Sequence, residues 1–565
     1  MDRPSTMEHE QHATHQASPG DEPHATQFSL ATLKQYWPLA ILALILIFAW
    51  NVRWYHHDYP VIGYHDWKET HYLTEARNFA RDGYFQYGFF VPWTDYPIGP
   101  SQGGIHPDTF PLPQIINAIL FKLFGFHASI ARTLSIIFSV ATVAVAYLLG
   151  KTLFKREETG LLAAALFAIA PLLVFFGRQA MLDPPALFLT MLGTFFFLQW
   201  RETDKPRDLI LATAALTLGV MTKYTFILLA APLLALTPWQ RIKEWKPRMK
   251  TYATCAAIAA LLPLWIIYMA TIPGTYGLKE AATGETVDLS LFSDAGFWQT
   301  MKAYAADNYT IRGFWLALLG IAAAALTFKR NTTAKYLTLY AGAGLIWFIV
   351  MAFKLGGHNY HQYPLMPLAL FAITYLAATI SGTLSSMIKL PGTNVAVYAM
   401  LILLLYSPSA AAWNRQFDTQ FIGLDAAGAY IKEHSAPDER VFHSGHQSYS
   451  VLWEADRKGG PLPSEVETIL EREDTLNYQW YLMYQWGFQT MQNEEVWNHL
   501  KQNYHLAQAA VQQTNQGYQP LYFLFRRGGE FNDTKLNDYL ANKAAQPYTY
   551  EFTGGKQELT VVNVE

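Results

Sequence analysis

The sequence predicts a polytopic α-helical membrane protein of about eleven transmembrane helices. It also predicts juxtamembrane helices on the outer side and a C-terminal α/β domain outside the bilayer. Three observations predict this. Hydrophobic residues make up 51% of the 565-residue chain and charged residues only 15%, against about 25% charged in a typical soluble domain. Apolar runs of roughly 17 to 22 residues, long enough to cross a ~30 Å hydrocarbon core, recur along the chain. The short loops rich in Lys and Arg all fall on one side when those runs are threaded in order. The same composition excludes a disordered or fibrous chain. With 41 basic and 44 acidic residues, net −3, it also excludes nucleic-acid binding through bulk positive charge. One cysteine, Cys255, excludes a disulfide framework and a cysteine zinc cluster.

Residues 1–35 are polar and read as a disordered cytoplasmic tail, His9, His12 and His15 included, with no cleavable signal peptide. The apolar spans lie near 36–52, 129–150, 159–177, 184–200, 208–222, 224–239, 253–271, 313–328, 336–353, 362–380 and 394–411. Leu112–Phe124 is short and contains Lys122, and it reads as a re-entrant or interface-lying helix. Leaving it out of the count puts Lys151, Lys155 and Arg156, then Arg201, Lys205 and Arg207, then Arg241 to Lys250, Lys329, Arg330, Lys335 and Lys389 all on the cytoplasmic side. Residues 53–128, the loop at 178–183, residues 272–312, the loop 354–361 and the tail from 412 then face outward, at the plasma (inner) membrane. In that tail 425–434 reads as a helix, while 440–444, 521–526 and 558–564 read as strands. A domain over 412–565 follows on the membrane domain of 36–411.

The polar groups that could carry chemistry gather on the outer side. The first outer loop holds His65, Asp66, Lys68, Glu69 and His71, with Asp66, Glu69 and Arg77 able to share one helix face. An interfacial helix anchored by Trp67 and Tyr72 is the plainer reading, but the density of ionisable groups favours a site. Arg178 and Asp183 flank a turn, and Asp183-Pro184-Pro185 opens a span. Prolines are tolerated in a first helical turn and a carboxylate is stabilised there. Arg178 and Asp183 could equally pair and snorkel. Lys223 stands alone between two apolar runs, where an ionisable group is expensive and reads as functional; its ammonium suits a lipid phosphate. His358, Tyr360 and His361 crowd a Gly-containing loop, and His106 with Asp108 precede Pro111-Leu112-Pro113. Acids serve as bases or metal ligands, and cations stabilise a phosphate leaving group. Together these residues support group transfer from a phospholipid-like donor to a hydroxyl.

The ordered set Asp66 to Phe79, Phe110 to Gly125, Gly177-Arg178 to Asp183, Thr222-Lys223 and His358 to Pro367 resembles the lipid-linked-sugar glycosyltransferases of the GT-C fold. The similar group is glycosyltransferase 39, with its protein O-mannosyltransferases and aminoarabinose transferase of lipid A. The resemblance covers roughly residues 36–411. It implies an inverting transferase that moves a monosaccharide from a polyprenyl-phosphate donor to a hydroxyl or phosphate on an envelope glycan, lipid or protein. It implies Asp66 as catalytic base with Glu69 as companion, Asp183 as the second acid, and Lys223 with Arg178 at the donor phosphate. Substrate or metal contacts fall to His65, His106, Asp108, His358, Tyr360 and His361. Some relatives hold a divalent metal, which His106, Asp108 or His358 would ligate here; no organic cofactor and no nucleic acid are implied. Two departures stand out. Counting back from Ala76-Arg77 puts the family's acidic pair at Lys68 and Glu69, which makes Glu69 the alternative base. Thr109 stands where an acid often precedes the Pro-Leu pair.

A transporter or lipid flippase is the rival from another class. It needs polar residues toward the bilayer midplane and access from both faces, whereas the ionisable residues here cluster at outer span ends. A non-catalytic scaffold binding envelope sugars would leave Asp183 and Lys223 without purpose.

Overall fold

The computed structural model describes residues 30–85, 89, 109–271, 287–514, 517–541 and 543–564. His106, Asp108 and the N-terminal histidines lie outside them. The chain begins with α1 (Leu30–Trp54), α2 (Asp66–Asp82), α3 (Leu112–Phe124), α4 (Ala128–Phe154), α5 (Glu157–Ile169), α6 (Pro171–Phe175), α7 (Asp183–Thr203) and α8 (Pro206–Thr222). After a 3-10 turn at Tyr224–Leu229 come α9 (Ala231–Leu236), α10 (Trp239–Lys243), α11 (Met249–Ala259) and α12 (Leu261–Ala270). The second half carries α13 (Ala295–Asn308), α14 (Ile311–Leu326), α15 (Thr332–Val350), α16 (Ala352–Gly357), α17 (Met366–Ile388) and α18 (Thr393–Phe417).

Among the described residues, six helices are long and apolar enough to cross a membrane, or seven if α13 and α14, bent by 96°, form one span. The sequence expectation of about eleven also counted runs that fold as shorter pieces. The reasons are local. The run 159–177 is cut at Pro171, whose missing N–H and fixed φ start a new helix, α6, rather than continue α5. The run 224–239 begins as a 3-10 turn after Lys223, which is extended at φ −155°. α3, the expected interfacial piece, is a 13-residue helix tied to α2 where Gln114 Nε2 donates to Glu75 at 2.7 Å.

Close helix approach uses small residues. A Cβ on Gly320 would lie 2.1 Å from the carbonyl oxygen of Ala372, so only glycine lets α14 meet α17 there. Within the bundle, Arg53 is fully buried. It donates to Ser139 Oγ at 2.7 Å and to the carbonyls of Ala168 and Phe167 at 3.2 Å each, joining α1 to α4 and α5.

The C-terminal part is the expected α/β domain. β1 (Arg440–His443), β2 (Gly459–Pro461), β3 (Tyr478–Tyr484), β4 (Tyr504–Thr514), β5 (Gly517–Arg527), β6 (Ala545–Phe552) and β7 (Gly555–Asn563) form one sheet in the order β2-β1-β3-β5-β4-β7-β6. β1 pairs in parallel with β2 and β3, and the remaining pairs are antiparallel. Side chains alternate across the sheet. Trp480, Leu482 and Tyr484 face a core that includes α19 (Leu424–His434) and α20 (Val451–Glu454). Tyr481 and Met483 face one built with α21 (Val466–Leu476) and α22 (Glu494–Asn503). Both faces are covered, so near-continuous apolar strands such as β3 are what the architecture requires.

Candidate active site

The fold brings stretches far apart in the sequence to one cavity of about 620 Å³. Trp67, Lys68 and Tyr72 come from α2, Leu182 and Lys223 from the ends of α7 and α8, and Lys354, His358, Tyr360 and His361 from the turn after α15, with Phe297 of α13 closing one side. At its floor Lys223 Nζ donates to both oxygens of Asp183, at 2.7 and 2.8 Å. The Asp183 side chain is 1% exposed and that of Lys223 12%, so the ammonium is the accessible end of the pair. Asp183 opens α7 with two prolines behind it, which places its carboxylate at the positive end of the helix dipole. Lys223 caps α8 just where the helix gives way to the 3-10 turn. Its ammonium also lies 5.0 Å from the centre of the Tyr360 ring, a cation–π distance.

One wall is aromatic. The His358 ring stacks on Tyr360 at 5.3 Å with 8° between planes, and His65 meets both edge-on at 5.2 Å. His65 adopts φ 58° at the start of α2. Burial, followed by the neighbouring His358, lowers its imidazole to about 3, so the ring is neutral across the physiological range. Lys68 lies over Trp67 and Tyr72 at 5.3 and 5.1 Å.

The two acids of the first loop have different fates. Glu69 is 2% exposed and forms a forked pair with Arg132, Nε and Nη2 each at 2.9 Å from one carboxylate oxygen. It also accepts the Ala180 N–H at 3.0 Å. Burial alone would raise its carboxyl, but the Arg132 charge and hydrogen bonds bring it below the usual range. Glu69 is therefore a charged strut joining α2, α4 and the turn before α7. Asp66 is fully buried, and its Oδ1 accepts the Trp67 N–H at 2.7 Å. Burial pushes its carboxyl well above the ordinary range against the pull of Ser450 and of that N–H; the Ser450 contact sets it where α2 meets the C-terminal domain.

Arg178 is 5% exposed and donates to the carbonyls of Tyr55 and His56 at 2.9 and 3.1 Å. Its guanidinium stands 4.9 Å from the Phe417 ring, and burial, then Arg132, lowers it to about 9. The structure thus groups Arg178 with Arg132 around residues 55–59, apart from the residues that line the cavity. Lys68 belonged to the ionisable cluster that marked the first outer loop, whereas sequence reasoning assigned no role to Arg132 or Lys354. The signal for Lys354 was the one used for Lys223, a lone cation at the end of an apolar span. Arg132 was marked by its position just inside the apolar run of α4.

Among the described residues no three His, Cys, Asp or Glu side chains gather closely enough to hold a metal ion. His65, His358 and His361 adjoin, but the Asp183 carboxylate is taken up by Lys223, so the described residues do not fit a metal centre.

Residues 106–268, which include Asp183 and Lys223, match the family profile described as dolichyl-phosphate-mannose-protein mannosyltransferase. No curated protein matches the chain by sequence. Solved structures with a similar fold include the oligosaccharyltransferase of Archaeoglobus fulgidus in its apo form, at 14% identity and a TM-score of 0.58, covering 92% of this chain and 80% of that one. ArnT from Cupriavidus metallidurans bound to undecaprenyl phosphate is similar at 14% identity and a TM-score of 0.52, covering 94% and 98%. The arabinofuranosyltransferase AftD from Mycobacteria follows at 14% identity and a TM-score of 0.50, covering 91% of this chain and 40% of that one.

Proposed function

We propose that this chain, which has the GT-C fold and is glycosyltransferase 39-like, is a glycosyltransferase. In this reading it moves a monosaccharide from a polyprenyl-phosphate donor to a hydroxyl or phosphate acceptor of the cell envelope, at the outer face of the plasma membrane. The observation that carries the reading is the Lys223–Asp183 pair at the floor of a cavity that Lys68 and Lys354 also line. An ammonium held at that depth suits a lipid phosphate, whose prenyl tail stays among the apolar helices.

Chemically, the acceptor oxygen bonds to the anomeric carbon as the bond from that carbon to the phosphate oxygen breaks, with inversion. The electron pair leaves with polyprenyl phosphate, whose charge meets the lysines. The acceptor proton goes to a carboxylate. Two carboxylates fit this role for different reasons. Asp66, the base implied by sequence, has a carboxyl whose basicity burial raises, and a more basic carboxylate is the better proton acceptor. Asp183 is bonded to the cavity-lining Lys223, and it loses that partner when Lys223 turns to the donor phosphate. Glu69, held by Arg132, orients α2. Arg178 supports the loop before α2, and His65, His358, Tyr360 and His361 form a wall on which a sugar ring can stack.

The test is incubation of the purified protein with a panel of polyprenyl-phosphate sugars and envelope acceptors, following release of polyprenyl phosphate by mass spectrometry. Acceptor-dependent release supports the reading. Donor movement between vesicle leaflets without release of polyprenyl phosphate would favour the flippase instead.

A further inference from the structure

We infer that the C-terminal domain is a positioning element for the cavity, with Glu454 and Asp456 gripping α2 from behind so that Trp67 and Lys68 face the Lys223–Asp183 pair. The inference rests on reading that cavity as the donor site. Contacts bracket α2 on both sides. Before the helix, the Val61 N–H donates to Glu454 at 2.8 Å. The Phe421 N–H donates to the Ile62 carbonyl at 2.6 Å, and Gly63 pairs with Gln420 as an antiparallel bridge. Toward its end, Arg77 and Arg81 each donate to one oxygen of Asp456, at 2.7 and 2.8 Å, and the Arg77 guanidinium lies 5.0 Å from the Trp453 ring.

The geometry of a helix makes this grip directional. At 100° per residue, Lys68 and Arg77 are about 180° apart around α2. Lys68 therefore meets the cavity while Arg77, on the opposite face, meets the domain, and Trp67 touches both, lining the cavity and packing against the domain core. Arg77 is 4% exposed, and burial lowers its guanidinium to about 10. For Asp456, burial is outweighed by the hydrogen bond from Arg81 and the charges of Arg77 and Arg81, which hold its carboxyl below the usual range. Asp456 also sits at φ 51°, a left-handed conformation that Asp tolerates better than most residues. The pair is thus committed and partly desolvated, unlike a solvated surface bridge. Neither Glu454 nor Asp456 is among the residues lining the cavity, so both act through α2. A displacement of about 1 Å in such a wall is enough to cost about 100-fold in rate.

Two measurements test this on the full-length protein. In the transfer assay, Asp456→Asn and Glu454→Ala, which removes the acceptor of the Val61 N–H, should lower kcat roughly 10- to 100-fold, with a smaller change in donor KM, at a temperature where both variants remain folded; Asp456→Glu should recover part of the loss. Independently of activity, spin labels at Lys68→Cys and Lys354→Cys, in a Cys255→Ser background, should give a distance distribution that shifts or broadens when Asp456→Asn is added. An unchanged distribution overturns the inference whatever the activity shows. Transfer by the wild type together with kcat values within about threefold in both variants overturns it as well. A wild type that transfers no sugar defeats the functional reading instead, and the label distances then decide the structural claim alone.

Discussion

Replacing Lys223 by methionine keeps the length of the side chain and removes its charge. In the wild type that ammonium makes two charge-assisted hydrogen bonds to a carboxylate that is otherwise sealed from solvent. Two separate losses follow. For stability, a buried pair broken from one side costs about 3–5 kcal/mol because the remaining charge is uncompensated. Protonation of Asp183 offsets part of that cost. For activity, losing one preorganised cation at a developing anion costs about 2.7–4 kcal/mol, or roughly 100- to 1000-fold in kcat/KM. The double variant Lys223→Met/Asp183→Leu separates the two losses. It leaves no buried charge and should recover most of the thermal stability in detergent, while transfer stays down by at least the same factor. The assay is polyprenyl phosphate release at saturating acceptor, with thermal unfolding measured on the same samples. A Lys223→Met protein that keeps kcat/KM within about threefold of wild type would refute the phosphate-binding role.

Asp66→Asn and Asp183→Asn distinguish the two candidate bases: the true base, once removed, leaves donor binding intact and lowers kcat by about 100-fold or more, whereas the other variant changes donor KM or stability. Glu69→Gln should act on folding. It strips Arg132 of a forked, 2%-exposed partner, so a loss of about 3–5 kcal/mol is expected, visible as a lower Tm with near-normal kcat in the folded fraction. Because the folded carboxyl of Glu69 lies below its unfolded value of 4.5, its stabilisation is full above that pH and fades as the pH falls through the folded value. His65 has the opposite dependence on charge. Its folded pKa of about 3 lies below the unfolded 6.5, so the unfolded chain takes up the proton first and stability drops as the pH falls between those values. His65→Phe should remove that part of the acid-side loss, read as the difference in Tm between pH 7 and pH 4.

The outlines of both the membrane and C-terminal parts were legible because burial writes itself into sequence. Apolar runs marked α1, α4, α17 and α18, and the helix at 425–434 and the strands at 440–444, 521–526 and 558–564 fell where their alternation indicated. Interruptions were harder to see. Pro171 and Lys223 each end a helix inside what reads as a continuous apolar stretch. Sheet order was not legible, since pairings such as β3 with β5 depend on contacts far apart in the chain. In the site, Asp183, Lys223 and the 358–361 loop stood out because polar groups at span ends are costly to keep. Which acid faces the cavity did not stand out. Nor were the partners of Glu69 and Arg178 legible: Arg132, 63 residues away, pairs with Glu69, and the carbonyls of residues 55 and 56 accept from Arg178.

The central claim is that a donor phosphate binds beside Lys223, and cryo-electron microscopy of the protein with bound polyprenyl phosphate tests it most directly. The account predicts phosphate density within about 4 Å of Lys223 Nζ, in reach of Lys68 or Lys354, with the prenyl tail running out among the helices. Phosphate density elsewhere, with Lys223 still bonded to both oxygens of Asp183, would contradict it.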